Sequence, residues 1–243
     1  FRTMNKSTLT LFFALLGPIV APGFAAPAPE LSVRLDLPYT SRYVYRGVQL
    51  AKDSIQPSLD LSVNDSYLGA WFNSPVAAGQ KNEFDFYLGH DFAADDLGKG
   101  GKLDLGGRVY HFPQGFYTAG LGNTSYEIYA GLLGGPIAQG PVPAIYSYYD
   151  FTRKSYNFIG SLSAALPVEK LGFALRFDVH AGYAGFNRAI AGKGYTYWGA
   201  GVSLPYRIAS NATFTVGAQY DSSSLTGAKH NLTTFTAGVT LGF

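Results

Sequence analysis

The feature that most constrains this chain is a period-two alternation of apolar and polar residues, running from about residue 31 to the last residue, Phe243. Leu31, Val33, Leu35 and Leu37 alternate with Ser32, Arg34 and Asp36. Phe84, Phe86 and Leu88 alternate with Glu83, Asp85 and Tyr87, and Phe235, Ala237, Val239, Leu241 and Phe243 alternate with Thr234, Thr236, Gly238, Thr240 and Gly242. Side chains two positions apart share one face of a strand, so each segment reads as a strand with an apolar and a polar face. No window sustains a helical period. Twelve segments are counted, at about 31–45, 54–64, 66–73, 83–92, 102–112, 124–133, 142–151, 155–166, 172–184, 195–205, 211–221 and 232–243. Ten and fourteen are the neighbouring even numbers. Most segments match the ~9–11 residues with which a tilted strand crosses a bilayer.

The connections alternate as well. Segments 46–53, 74–82, 113–123, 185–194 and 222–231 are mostly long and polar or Gly-rich, whereas Asn64-Asp65, 167–171 and 206–210 are short. Two connections break the rule: 93–101 is long for its side and 152–154 is short. Long loops on one side and turns on the other are the habit of a membrane barrel with both termini on the turn side.

A soluble sandwich turns its apolar faces inward; a membrane barrel turns them outward around a polar lumen. Charged residues make up 14% of the chain, against ~25% in soluble domains, so few groups are available to solvate a surface. The polar face sets Gly beside charge, as in Gly89/Asp91 and Gly106/Arg108. Aromatics crowd the strand ends: Tyr39/Tyr43/Tyr45, Phe112/Phe116/Tyr117, Tyr146/Tyr148/Tyr149 and Tyr195/Tyr197/Trp198. These groups are expected to form the interfacial girdles of a barrel. The fold class is therefore all-β: a transmembrane antiparallel β-barrel of about twelve strands, both termini periplasmic. A sandwich is the competing architecture and predicts a water-soluble chain.

Residues 1–26 precede the alternating region. Phe1-Arg2-Thr3 stand upstream of Met4; then Lys6, the apolar run Leu9 to Val20, and Gly23-Phe24-Ala25-Ala26 have the three parts of a secretory signal. The run is shorter than a bilayer-spanning helix and carries Pro18, with Pro22 just beyond. The expected division is a cleaved signal at 1–26 and a barrel at 27–243. Arg2 and Lys6 are two of the 18 basic residues, so the chain beyond residue 26 sets 16 basic against 16 acidic groups. That neutrality disfavours nucleic acid as a partner. The absence of Cys excludes disulfides and thiolate metal sites.

Residues 41–73 narrow the class. They read Ser41-Arg42-Tyr43-Val44-Tyr45-Arg46-Gly47-Val48-Gln49, then Ser54-Ile55-Gln56-Pro57-Ser58-Leu59-Asp60, then Tyr67-Leu68-Gly69-Ala70-Trp71-Phe72-Asn73. This stretch resembles the start of the TorF porin family, whose members open with a Ser-x-Tyr-x-x-Arg-Gly block followed by a Gln/Pro-containing strand and a Tyr-x-Gly-x-Trp strand. Asn82-Glu83-Phe84-Asp85-Phe86-Tyr87, Tyr126-Glu127-Ile128-Tyr129-Ala130-Gly131 and Tyr148-Tyr149-Asp150-Phe151 resemble later strands of such barrels. Family members commonly have Pro-Ala before the Gln-containing strand; here the order is Gln56-Pro57. The resemblance implies an outer-membrane location and a diffusion channel, and names no solute. It also implies that the terminal strand ending in Phe243 is presented to the outer-membrane assembly machinery.

The polar parity is expected to line the lumen. It contains Arg34, Arg42, Arg46, Arg108 and Arg176, and Asp36, Asp60, Glu83, Asp85, Asp91, Asp104, Glu127, Asp178 and Asp221. The acidic excess of this set predicts a weak cation preference. Alternatively these groups pair with one another and fill a small barrel, since twelve strands lie between filled eight-stranded and open sixteen-stranded barrels. Arg46-Gly47 reads either as an arginine at a pore mouth facing an anionic solute, or as a turn with Arg46 bonded to loop carboxylates; the second is preferred because a turn is needed there. The partners implied are outer-membrane lipids and small polar solutes or ions; no segment marks a self-complementary face. No catalysis is expected. His90, His111, His180 and His230 are scattered, His180 shares a face with Asp178, and no Gly-x-Ser-x-Gly, metal spacing, phosphate loop or cofactor fingerprint occurs. A closed barrel acting as adhesin, receptor or envelope anchor through its loops has the same outer pattern as a porin.

Overall fold

A computed structural model describes residues 30–115, 122–137, 140–168, 173–186 and 194–243. The leader expected at 1–26 lies outside these residues. The strands are β1 (Leu31–Thr40), β2 (Tyr43–Tyr45), β3 (Val48–Ala51), β4 (Ser54–Ile55), β5 (Ser58–Val63), β6 (Ser66–Pro75), β7 (Glu83–Ala93), β8 (Lys102–His111), β9 (Thr124–Leu133), β10 (Val142–Asp150), β11 (Ser155–Val168), β12 (Phe173–Phe186), β13 (Tyr195–Ala209), β14 (Ala212–Ser223) and β15 (Leu232–Gly242).

β4 and β5 are two pieces of one wall position. Both pair with β1 on one side and β6 on the other. The break falls at Gln56-Pro57, where proline offers no N–H to the ladder. From there every wall strand pairs antiparallel with the next, and β15 returns to β1 with Leu35 opposite Leu241 and Thr40 opposite Thr236. The wall is a closed barrel of twelve antiparallel strands. Closure leaves no unpaired edge, which is the condition for strands to cross a bilayer.

The apolar parity faces outward. Leu35, Leu37, Leu68, Phe86, Leu88, Leu105, Ile128, Ile145, Phe158, Val179 and Phe235 are all exposed, and they come from strands all around the ring. Such a continuous band is foreign to a water-soluble surface and suits lipid. This excludes the sandwich.

The structure corrects two expectations. The segment 31–45 is not one strand, because the wall ends at Thr40. Ser41 closes the β1–β15 ladder, its N–H donating to the Phe235 carbonyl and its Oγ accepting from the Phe235 N–H, each at 2.9 Å. The chain then leaves the wall as the separate β2–β3 hairpin. Nor are most of the clustered aromatics girdles. Tyr39, Tyr149 and Trp198 face outward, but Tyr43, Phe112, Tyr146, Tyr195 and Tyr197 are buried inside the barrel. Phe116 and Tyr117 lie outside the described residues. An inward tyrosine is apolar enough to pack and carries a hydroxyl that satisfies buried carboxylates, so it belongs on the polar parity of a filled barrel.

Candidate functional site: a lumen crossed by a hairpin

Arg46 and Gly47 have φ of 51° and 75° and form the two-residue turn between β2 and β3, with Tyr45 opposite Val48. Two successive positive φ values suit a tight hairpin, and Gly at the second position removes half the steric cost. The hairpin crosses the lumen. The Tyr43 ring lies 5.2 Å from that of Trp71 on β6, and the Tyr45 and Tyr110 hydroxyls meet at 2.9 Å on the β8 wall. Arg46 Nη2 lies 2.8 Å from Glu127 Oε2 on β9, and its guanidinium stands 4.9 Å from the ring centre of Tyr148 on β10. At the tip, Gly47 is pressed so closely to the far wall that a Cβ there would lie 2.6 Å from Tyr197 Cβ and 3.0 Å from Ser223 Cβ. Tyr43 and Tyr45 thus point toward β6–β8, Val48 packs against Ala184, Tyr195 and Tyr197, and Val44 faces the cavity on the β11–β14 side.

Between the hairpin and β6–β10 the lumen is largely filled, apart from a cavity of about 150 Å³ lined by Tyr43, Tyr45, Trp71, Asp85, Tyr87 and Arg108. Asp104 accepts from the Tyr67 and Tyr146 hydroxyls, the latter at 2.9 Å, and Asp60 accepts from Tyr87 at 3.1 Å. The register explains the reach. Gly131 lies between Asp104 and Tyr146, and Gly69 between Asp60 and Tyr87, so each tyrosine lies over a glycine and bonds to the acid beyond. Glu127 accepts from Tyr110 at 2.7 Å. Arg108 stands 3.6 Å from Asp85 and over the Tyr87 and Tyr110 rings. From the 151–154 turn, Arg153 lies 3.3 Å from Asp150 and over Tyr110. Burial opposes the Arg46 charge, but the Glu127 carboxylate, then the Tyr45 and Tyr110 oxygens, outweigh it and raise its pKa, so the guanidinium stays ionised.

On the opposite side a cavity of about 320 Å³ stays open between the hairpin tip and β11–β14. Its wall includes Ile159, Asp178, His180 and Asp221, with Val44 and Gly47 from the hairpin. Its polar side chains lie closely over glycines: a Cβ at Gly199 would collide with Asp221 and His180, and one at Gly201 with Gln219 and Asp178. His180 Nε2 is 3.4 Å from Asp221 Oδ1.

The residues expected in the lumen fall into three groups. Glu83, Asp85, Asp104, Arg108 and Glu127 belong to the filled half with Asp60, and Arg46 joins them from the hairpin. Asp178 and Asp221 line the open cavity. Of the rest, Arg34 pairs with Asp36 at 2.8 Å and stands cross-strand to Asp60, Asp91 pairs with Lys102 and stands cross-strand to Asp104, Arg176 is exposed near the start of β12, and Arg42 bonds to the Thr233 carbonyl at the rim. Sequence reasoning set Arg46-Gly47 in a turn, as found. It assigned Arg46 a loop carboxylate, and the partner is Glu127 of the wall. It missed the tyrosines, Asp150 and Arg153. The remaining histidines have local partners: His90 with Ser66 at 2.8 Å, His111 with Thr124 at 3.0 Å, and His230 with the Ser223 carbonyl.

A family model described as a bacterial protein of unknown function (Gcw_chp) matches residues 25–241. The chain belongs to the Gcw_chp family. A search of the curated proteins finds no match. Among solved structures, this Gcw_chp chain is similar to the KdgM porin, with 13% identity, a TM-score of 0.57, and coverage of 86% of this chain and 99% of that one. It is similar to the same porin in complex with disordered oligogalacturonate, at 12% identity and TM-score 0.55, covering 87% and 99%. It is similar to the NanC porin at 13% identity and TM-score 0.53, covering 85% and 98%. At these identities the likeness establishes the barrel fold.

Proposed function

We propose that this chain is an outer-membrane porin of the TorF type, passing small hydrophilic solutes or ions down their gradients with a weak preference for cations. The observation that carries this reading is the open cavity between the hairpin tip and β11–β14, lined by Asp178 and Asp221 together with Arg46 and His180 inside a lipid-facing wall. A narrow passage bordered by carboxylates concentrates cations, and Arg46, the guanidinium beside it, is matched by Glu127. Solved porins share the fold and make the reading consistent. The rest of the proposal follows the sequence: export by a cleaved signal at 1–26, both termini in the periplasm, the longer loops outside, assembly through the strand ending in Phe243, and no catalysis. His180 is spent on Asp221 rather than on a nucleophile.

The test is conductance of the refolded chain in a planar bilayer under a salt gradient. Stable channels with a cation-selective reversal potential are expected. A folded barrel that never conducts overturns the reading. That outcome would favour a second one, a closed barrel working through its outer loops, for which the tyrosine-filled half of the lumen is the supporting observation.

A further inference from the structure

The hairpin turns inward from the wall and crosses the lumen. It is sewn to both sides of the lumen, by Arg46 to Glu127 on β9 and by Gly47 against Tyr197 on β13. A bare twelve-stranded wall would leave a passage broad enough for sizeable solutes. The hairpin and the Tyr–carboxylate layer beneath Tyr43 and Tyr45 occupy much of that space. A larger opening, the cavity of about 320 Å³, lies on the Val44 side, and a smaller one of about 150 Å³ lies on the Tyr43/Tyr45 side beside Trp71, Asp85, Tyr87 and Arg108. The larger is close to the lower limit of small-molecule sites, ~300 Å³.

We propose that the 41–53 hairpin is the size filter of this pore: solutes pass between its tip and β11–β14, and the Arg46–Glu127 pair is the pin that holds it across the lumen. This rests on the porin reading. The hairpin, not the barrel radius, then sets the size limit, and solutes are restricted to those that fit this cavity. It also places every passing solute against Asp178 and the His180-paired Asp221, which gives these two carboxylates a direct part in charge selection.

The geometry offers a clean excision. Thr40 and Ser54 are cross-strand partners, so a short Gly-Asn-Gly-Ser linker in place of residues 42–53 joins the two wall strands without moving either. Folding is checked by the altered migration of unheated barrel on a gel. The expected result is that the excised barrel conducts about threefold or more above the full chain, as a widened lumen requires, admits larger neutral polymers, and loses cation preference. A second pair of variants guards against misfolding of the excised chain: Arg46→Glu sets like charges together and should raise conductance, and Arg46→Glu with Glu127→Arg restores opposite charges and should return it to the parent level. Equal conductance and equal polymer cut-off in the full and excised barrels overturn the proposal while leaving the porin reading intact. A silent full chain with a conducting excised barrel supports the hairpin's role and overturns passive passage through the resting pore. Silence from both folded barrels overturns both.

Discussion

Replacing Arg46 by Met should release the hairpin from the far wall while the barrel stays folded. Glu127 is 1% exposed and Arg46 14% at the side chain, so the pair is little screened by water. Breaking such a buried pair by removing one partner costs about 3–5 kcal/mol. Glu127 keeps the 2.7 Å bond from Tyr110, which favours the lower end, about 3 kcal/mol. At about 1.4 kcal/mol per decade this is roughly a hundredfold drop in the docked-to-undocked ratio. The loss falls on docking alone, because Arg46 belongs to no wall strand and undocking lets water reach Glu127. Trp71 reports the event, since its ring lies against Tyr43 of the hairpin. The only other tryptophan, Trp198, faces outward and is removed as Trp198→Phe. In that background Arg46→Met should red-shift Trp71 emission and raise its quenching by acrylamide. Adding Glu127→Gln removes the stranded charge and should restore much of the protection, because a pair replaced as a whole costs little. Quenching in Arg46→Met equal to the parent, or undiminished in the double variant, would refute the pin.

Three further outcomes follow from the same geometry. Asp178→Asn with Asp221→Asn should bring the reversal potential in a potassium chloride gradient close to zero with little change in conductance, because size is set by the hairpin and charge by these two groups. Gly131→Val should drive a side chain into the Tyr146 ring, cost about 1–3 kcal/mol by overpacking, and lower the temperature at which the unheated gel form is lost; adding Tyr146→Ala should relieve the clash. Deleting Phe243 removes one pair of backbone bonds to Val33, so the refolded barrel should keep its stability while assembly into outer membranes by the cellular machinery slows.

Much of the fold is written in the alternation, because a strand period of two reports burial directly whatever solvent lies outside. Leu35, Phe86 and Ile128 needed only parity to be placed on the lipid face. The hairpin was not legible in the same way. Tyr43-Val44-Tyr45 continues the β1 pattern without a break, and what marks the departure is Ser41 ending the ladder, which depends on a partner 194 residues away. One local signal was present. The run Tyr-Val-Tyr-Arg-Gly-Val-Gln-Leu-Ala carries apolar side chains on both parities around a turn, which suits a hairpin covered on both faces rather than a wall strand with one polar face. The tyrosine layer needed more: Tyr146, Gly131 and Asp104 form one row only once the registers of β8, β9 and β10 are known.

The same row explains how a formally balanced set of charges can both fill and open one barrel. Where tyrosine faces a cross-strand glycine, its ring lies flat along the wall and its hydroxyl reaches an acid on the next strand, so a carboxylate is satisfied without recruiting a cation. Asp60 and Asp104 are held this way. The arginines of the filled half are left to pair with Asp85, Glu127 and Asp150, two of them by direct contact from the inward hairpin and the 151–154 turn. On β12–β14 the glycines at 199 and 201 face Asp178, His180, Gln219 and Asp221 instead of a tyrosine ring. These side chains cover the glycines but reach less far into the lumen than a tyrosine, and the cavity persists beside them. A tyrosine introduced at Gln219, cross-strand to Gly201, should extend the filled pattern across the opening. Gln219→Tyr is therefore expected to abolish conductance in a barrel that still folds, and unchanged conductance would show that solutes do not pass along β11–β14.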